Sequence, residues 1–309
     1  MFVVVGESLV DLVGNQGSRT LTAHPGGSPA NVALGLARLG NDVTLTTRLG
    51  RDAFGEMITA HLRASGVRVA RVSDKDARTS LAIATLSGGH ATYDFRIEWD
   101  LGDLAPLSPE ARCLHTGSLA TALLPGAARV TDLLAQERQR RQVTISYDPN
   151  VRPALLGSRE RARPDIERLV GLSDVVKVSD EDLRWLYPGR PDEDVARRWL
   201  SLGPAVVVVT RGAHGIFAAT ADVALQRPAD AIELVDTVGA GDSFTSGLLD
   251  GLGRMNLLGG SRRQALAAMD ESTLAGVLDA AGLVAAMTCS RPGADPPTRA
   301  EVEASRGRR

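Results

Sequence analysis

The sequence predicts an α/β protein: a three-layer αβα fold around a mainly parallel central sheet, with a small β lid. Two patterns carry this expectation. Short apolar runs with the composition of buried strands alternate with longer stretches of helical periodicity, the encoding of a parallel sheet covered on both faces. Residues 79–87 and 90–97 break that rhythm, alternating in character around Gly88-Gly89 as a β-hairpin does.

Taken in order, residues 2–5 are an apolar run ending at Gly6 and read as the first buried strand. Residues 11–24 show no helical pattern. Joined to the hairpin they give a lid, approximately 11–24 and 79–98, that closes over a site and excludes water. Residues 31–39 place Val32, Leu34 and Leu39 at helical spacing, and Gly40 stops the helix. A strand at 43–49 and a helix at 53–65, ended by Gly66, follow. Further buried strands are expected at 113–118, 143–147, 175–178 and 205–210, with helices at 126–141, 158–170, 179–187 and 191–202 between them. A β-rich segment is expected to end at Asp236, before helices at 240–253 and 271–288 and a polar tail that frays from Arg306. No internal repeat interrupts the chain, so residues 1–309 are expected to form one domain.

Composition narrows the function. A hydrophobic content of 43% with 23% charged residues is that of an ordinary globular chain, and a net charge of −2 argues against a nucleic-acid surface. Lys75 and Lys177 are the only lysines and neither follows a glycine, which rules out a G-x-x-x-x-G-K-[ST] phosphate loop. Any nucleotide is then expected on backbone amides and helix dipoles, without lysine. Cys113 and Cys289 are too few for a disulfide framework or a zinc site, and a reducing cytoplasm fits them. The apolar N-terminus lacks the basic start of a signal peptide, and no apolar run approaches the roughly 20 residues of a membrane span. The expected location is therefore cytoplasmic, with no membrane partner.

Ligands of open α/β sheets bind beyond the carboxyl ends of the strands, and polar residues gather there. Asp11 follows the first strand; Asp148, Asn150 and Arg152 follow strand 143–147; Ser179 and Asp182 follow strand 175–178. Thr210, Gly212 and Gly215 come after strand 205–210. Such a rim suits a polyhydroxylated ligand, although Asp and Asn also favour turns for their own sake. Gly26-Gly27-Ser-Pro-Ala-Asn31 opens the first long helix and lets backbone approach a ligand closely. The densest signal is Asp236-Thr-Val-Gly-Ala-Gly-Asp242-Ser-Phe. Its glycine-rich turn stacks amides at a helix N-terminus, an anion site with a carboxylate beside it. A helix N-cap with Asp242 merely complementing the dipole is the simpler alternative.

Together these stretches resemble the two signatures of the ribokinase (PfkB-type) carbohydrate kinases. Gly26-Gly27-x-x-x-Asn31 with Gly35, Gly40, Gly50, Asp52 and Gly55 is similar to the N-terminal one, and Asp236–Phe244 to the C-terminal one; the similarity runs over residues 2–303. The resemblance implies ATP-dependent phosphorylation of a sugar hydroxyl. It implies Asp242 as catalytic base and Gly239, Ala240 and Gly241 as the anion hole. Asp11, Gly26, Gly27 and Asn31 would grip the sugar; Lys177, Ser179, Thr210, Gly212 and Gly215 would line the nucleotide. Mg²⁺ would accompany ATP. Ser179 and Asp182 stand where the family usually shows Asn-x-x-Glu, which offers Asp182 as a metal contact. Asp236, the Val238 carbonyl and the loop 291–294 match the region where many members bind K⁺. Gly282 occupies the place of an Asn near the adenine.

Asp148-Pro-Asn-Val-Arg152, His115-Thr-Gly-Ser118 and Lys177-Val-Ser-Asp-Glu-Asp182 are most similar to bacterial fructokinases. Arg96 on the hairpin is expected to point from the lid toward the sugar. With Arg152 it would equally clamp a carboxylate, which keeps 2-keto-3-deoxygluconate kinase as the alternative substrate reading. A non-catalytic sugar sensor on the same fold is the alternative of a different class. A dinucleotide oxidoreductase is excluded, because Gly6-Glu-Ser-Leu supplies no G-x-G-x-x-G. The exposed hairpin edge and the family together imply a homodimer formed through the lid.

Overall fold

A computed structural model of the chain describes residues 1–72, 76–87 and 90–307; the Gly88-Gly89 turn and the last two residues of the tail lie outside the described residues. The strands are β1 (Phe2–Val5), β2 (Leu9–Asn15), β3 (Thr22–Gly26), β4 (Val43–Thr47), β5 (Arg68–Arg71), β6 (Ser80–Ser87), β7 (His90–Arg96), β8 (Cys113–Gly117), β9 (Thr144–Asp148), β10 (Val175–Ser179), β11 (Val206–Thr210), β12 (Ile216–Ala219) and β13 (Ala224–Arg227). The helices are α1 (Ser28–Arg38), α2 (Ala53–Ala64), α3 (Gly126–Arg140), α4 (Pro153–Leu156), α5 (Arg159–Leu172), α6 (Asp180–Leu186), α7 (Asp192–Leu200), α8 (Ala240–Arg254), α9 (Arg263–Ala267), α10 (Glu271–Cys289) and α11 (Arg299–Arg306).

Among the described residues the strands form two sheets. The larger runs β13-β12-β11-β10-β9-β8-β1-β4-β5, and the smaller, the lid, runs β3-β2-β6-β7. From β11 to β5 every pairing is parallel; β12 and β13 return antiparallel at one edge. The chain starts at β1 and builds outward both ways, through β4 and β5 on one side and β8 to β13 on the other. The carboxyl end of β1 is therefore a topological switch point, where a crevice for ligand is expected.

Strand alternation sorts the apolar residues into two cores. Val4, Leu45, Val175, Val206 and Val208 pack under α1, α2, α8 and α10, while Val3, Val5, Ile145, Tyr147, Val176, Val178, Val207 and Val209 pack under α3, α5, α6 and α7. Burial on both faces is why these strands read as continuous apolar runs instead of alternating ones. α8 and α10 approach closely: a Cβ on Gly247 would lie 2.9 Å from Ala281 Cα.

Several expectations change. Residues 228–237 contain no strand, so the turn before α8 is fed by irregular chain and not by a β-rich segment. Asp11 lies inside β2 of the lid, not in a loop after the first strand. The tail carries α11, whose N-terminus is closed by a reciprocal Thr298–Glu301 capping box. The short edge strands β5 and β13, with alternating half-buried residues, had no apolar run to mark them. α10, at 19 residues and mean hydropathy 1.5, is long and apolar enough to cross a membrane by length and composition. Here it is a core helix, with Leu274, Leu278 and Ala281 buried against the sheet and α8.

Candidate active site

The site begins at the N-terminus of α8. Gly239 caps the helix at φ 74, a left-handed conformation, and a Cβ on it would lie 2.6 Å from the Ala294 Cβ, so glycine is required twice over. The Ala240 amide is donated to the Thr237 carbonyl (3.2 Å), which takes it out of the expected anion hole. The first-turn amides of Gly241 and Asp242 find no acceptor among the described residues, and these two with the helix dipole form the cradle. Asp242, 8% exposed, receives a hydrogen bond from Ser28 Oγ on Oδ1 (2.6 Å) and from Asn31 Nδ2 on Oδ2 (2.8 Å). Burial raises its pKa; the Ser28 and Asn31 hydrogen bonds and the Lys177 charge oppose that rise. Asn31, expected from sequence to grip the sugar, is thus a partner of the Asp242 carboxylate.

The cradle is not free of lysine. Lys177 Nζ sits so close that a Cβ on Gly241 would lie 2.8 Å from it. Lys177 projects from β10, where parallel pairing with β9 places it beside Asp148, and Nζ bonds Asp148 Oδ2 at 3.0 Å with both groups buried. Burial alone would lower the lysine's pKa, but the Asp148, Asp182 and Asp242 carboxylates outweigh it and raise it. The ammonium stays charged. Asp148, read from sequence as a sugar contact, instead holds Lys177 and accepts the Asn150 amide (3.1 Å).

Asp182 is likewise committed. Its Oδ1 accepts the Val151 amide (3.0 Å) and its Oδ2 the Ser179 amide (3.4 Å), while Ser179 Oγ accepts from the Asp182 amide (3.0 Å). The capping box and the Val151 bond engage both oxygens of Asp182, the residue expected to contact metal, and burial with neighbouring Asp148 pushes its pKa to about 6. Among the described residues no cluster of three acidic, histidine or cysteine side chains is built to hold a metal.

On the lid side, Asp11 lies over the glycine pair: a Cβ on Gly26 would sit 2.2 Å from Asp11 Oδ2, and one on Gly27, at φ 104, 2.6 Å from the Glu7 carbonyl. Burial raises the Asp11 pKa against His24 and Arg152. Arg152 donates to Asn150 Oδ1 (2.7 Å), and Asn150 adopts φ 38 to receive it. Burial raises the pKa of Glu7, Asp11 and Asp182, and the Arg152 charge opposes that rise at each.

Arg96 does not join them. It alternates with Phe95, whose face packs with Leu9, Ala82 and Leu119, so its own side chain lies on the opposite lid face, 71% exposed and 3.6 Å from Asp94.

Toward the nucleotide side, Thr210 ends β11, with Gly212 at φ 53 and Gly215 at φ 89 shaping the turn behind it; a Cβ on Gly215 would strike the Arg227 carbonyl at 2.1 Å. Gly282 of α10 faces Ile216 and Asp230, which a Cβ would meet at 3.5 and 3.7 Å. Asp236 accepts the Val238 amide (3.0 Å) and the Gly293 amide (2.8 Å), tying loop 236–239 to loop 291–294; these bonds hold its pKa low despite some burial. The exposed Val238 lies in the same tied loop.

Two buried residues escaped the sequence reading. Glu7, at the exit of β1, accepts the Ala120 amide (2.9 Å) and has its pKa raised by burial to about 7. Ser28 reaches Asp242 from another element. His115 also proves to be interior: burial depresses its pKa to about 4, and Nδ1 contacts Ser146 Oγ at 3.0 Å.

The sequence profile of pfkB family carbohydrate kinases matches residues 1–301. The chain belongs to this family. A curated fructokinase of Rhizobium leguminosarum bv. trifolii is 33% identical over 283 residues, 89% of this chain and 85% of that protein. One of Klebsiella pneumoniae is 35% identical over 260 residues, covering 81% and 83%. Among solved structures, the fructokinase of Vibrio cholerae O395 in its fructose-, ADP- and calcium-bound form is 27% identical, covers 98% of each chain and superposes with a TM-score of 0.80. A double mutant of that enzyme has been crystallised with fructose, ADP and potassium. The PfkB-family chain is therefore a sugar kinase.

Proposed function

We propose that this kinase transfers the γ-phosphoryl group of ATP to a hydroxyl of fructose. The observation that carries the reading is Asp242, buried at the amide end of α8 and hydrogen-bonded to Ser28 and Asn31, which follow the Gly26-Gly27 pair. In the reaction the sugar oxygen attacks the γ-phosphorus, its proton passes to Asp242, and the β–γ bridging bond breaks to release ADP. Little covalent chemistry falls to the protein. It aligns the oxygens in line and offsets the charge on the transferring group, here through the Gly241 and Asp242 amides, the α8 dipole and the Lys177 ammonium.

Asp11, the Gly26 and Gly27 backbone and the Asn31 amide form the sugar side; Thr210, Gly212, Gly215 and Gly282 the nucleotide side. Mg²⁺ enters with ATP, held largely through phosphate and water. The tied loops at Asp236 and Gly293 are the expected K⁺ region. Two lids pairing into a homodimer, and residence in the cytoplasm with both thiols free, belong to the same reading; a monomer by light scattering would remove the pairing.

A neutral sugar fits better than 2-keto-3-deoxygluconate. Arg152 donates to Asn150 Oδ1, and Arg96 lies exposed on the far lid face, so the two-arginine clamp for an acid sugar is not assembled. The test is a substrate panel with ATP in potassium and sodium buffers. Fructose-dependent ADP release that is faster in potassium supports the proposal. Turnover of 2-keto-3-deoxygluconate without fructose overturns it.

A further inference from the structure

The base is held from a distance. Ser28, 214 residues before Asp242 in the chain, donates its hydroxyl to Asp242 Oδ1 at 2.6 Å, in the range of a short charge-assisted bond. Both side chains are buried, so water competes little for either. We propose that Ser28 is a positioning residue of phosphoryl transfer, its hydroxyl fixing the Asp242 carboxylate in the orientation from which it takes the sugar proton. The proposal rests on the reading of Asp242 as the base.

Three features support it. The first is division of labour: Ser28 holds Oδ1 while Asn31 Nδ2 holds Oδ2, so the carboxylate, whose terminal torsion is soft and two-fold, is pinned at both oxygens. Each oxygen keeps a lone pair for a third donor, the sugar hydroxyl. The second is rigidity. Ser28 follows Gly27, whose φ of 104 and contact with the Glu7 carbonyl no other residue fits, and precedes Pro29, packed where a Cβ on Gly6 would lie 2.1 Å from its ring. The hydroxyl is thus carried at the first turn of α1 on backbone locked from both sides.

The third feature is electrostatic. Burial drives the Asp242 pKa up, and the Ser28 hydrogen bond is the largest influence holding it down, ahead of Asn31 and Lys177. Deleting the hydroxyl therefore leaves Asp242 protonated to higher pH, in a state unable to accept the sugar proton.

The test compares Ser28→Ala and Ser28→Thr with the native enzyme over a pH series. For Ser28→Ala the expectation is a kcat lowered about tenfold, a sugar KM within about twofold, and an acid limb of kcat moved up by about one pH unit. Ser28→Thr, which keeps the hydroxyl, restores the limb. A native acid limb and native kcat in Ser28→Ala overturn the proposal, as does a loss confined to KM, which would make Ser28 a sugar contact. Should Ser28→Ala fail to fold by circular dichroism, Ser28→Cys, a weak donor of similar size, reports the same limb, and a native limb there is equally fatal. Failure of the parent reading is separable: Asp242→Asn with native turnover removes the base itself, whatever Ser28 does.

Discussion

The carboxylate proposed as base has neighbours that set its direction and oppose its protonation. Asp242 is deprived of water, which raises its proton affinity; Ser28, Asn31 and Lys177 oppose that rise, and the two hydrogen bonds aim the carboxylate. Asp242→Asn keeps the shape and one acceptor oxygen while removing the charge. We expect kcat to fall by about 100-fold or more with sugar and nucleotide still bound, measured by coupled ADP release and by calorimetric titration of each ligand. Much of this residue-level picture was legible, because the glycine turn and Asp242 are contiguous and their chemistry is local. Ser28, Glu7 and Lys177 were not assigned these contacts, because each acquires its partner only through the fold. No spacing rule connects Lys177 to Asp148; parallel pairing of β9 with β10 does. The partners of Asp148 and Asp182 were hidden for the same reason: the amide and the ammonium that bond these strand-exit carboxylates come from elsewhere in the fold.

At the scale of elements, the lid depends on an anchor within the N-terminal signature. Asp52 caps α2 by accepting the Gly55 amide (2.8 Å), and it also accepts the amide (2.9 Å) and hydroxyl (2.7 Å) of Thr79, the residue just before β6. Gly50 and Gly55 make room for this clasp: a Cβ on Gly55 would lie 2.1 Å from the Gly50 carbonyl. One carboxylate therefore fixes a helix start and the root of the lid together. Asp52→Ala deletes a cap worth about 1 kcal/mol and leaves the Thr79 amide unpaired, so the melting temperature should drop by several degrees. A lid rooted less firmly should also raise the sugar KM more than it lowers kcat, which initial-rate kinetics will show; an unchanged KM would mean that the clasp serves α2 alone. The hairpin itself was visible from its alternation around two glycines, and its pairing partner β2 was foreshadowed only as chain without helical period. Arg96 shows where element-level reading stopped. Its position on a lid strand was right, but the two-residue alternation that places Phe95 toward the body sends Arg96 away from it.

For the whole molecule, the parallel sheet and its two layers of helices followed from the apolar runs, whereas the electrostatics of the crevice follow from bringing separate elements together: the exit of β1, the strand β2, and the first turns of α6 and α8. Glu7, Asp11, Asp182 and Asp242 converge there, and burial raises the pKa of each. Such groups tie stability to pH in the direction opposite to an ordinary surface carboxylate. Glu7 binds its proton more tightly in the folded chain, at a pKa of about 7, than in the unfolded chain, near the model-compound value of 4.5. Its protonated form therefore favours folding; that contribution is fully present below 4.5 and is lost as pH rises through about 7. Asp182, raised to about 6, acts in the same sense over a narrower window. Exposed cap carboxylates such as Glu301, lowered to about 2, contribute in the other sense, and solvent screens them. Glu7→Gln keeps an oxygen to accept the Ala120 amide and cannot ionise. Its melting temperature should match that of the native chain near pH 5 and exceed it at pH 8, by the equivalent of up to about 3 kcal/mol. Paired thermal melts at the two pH values decide the matter: a gap that closes as pH rises would mean that Glu7 is held ionised by Arg152, so that the arginine and not burial governs this end of the crevice.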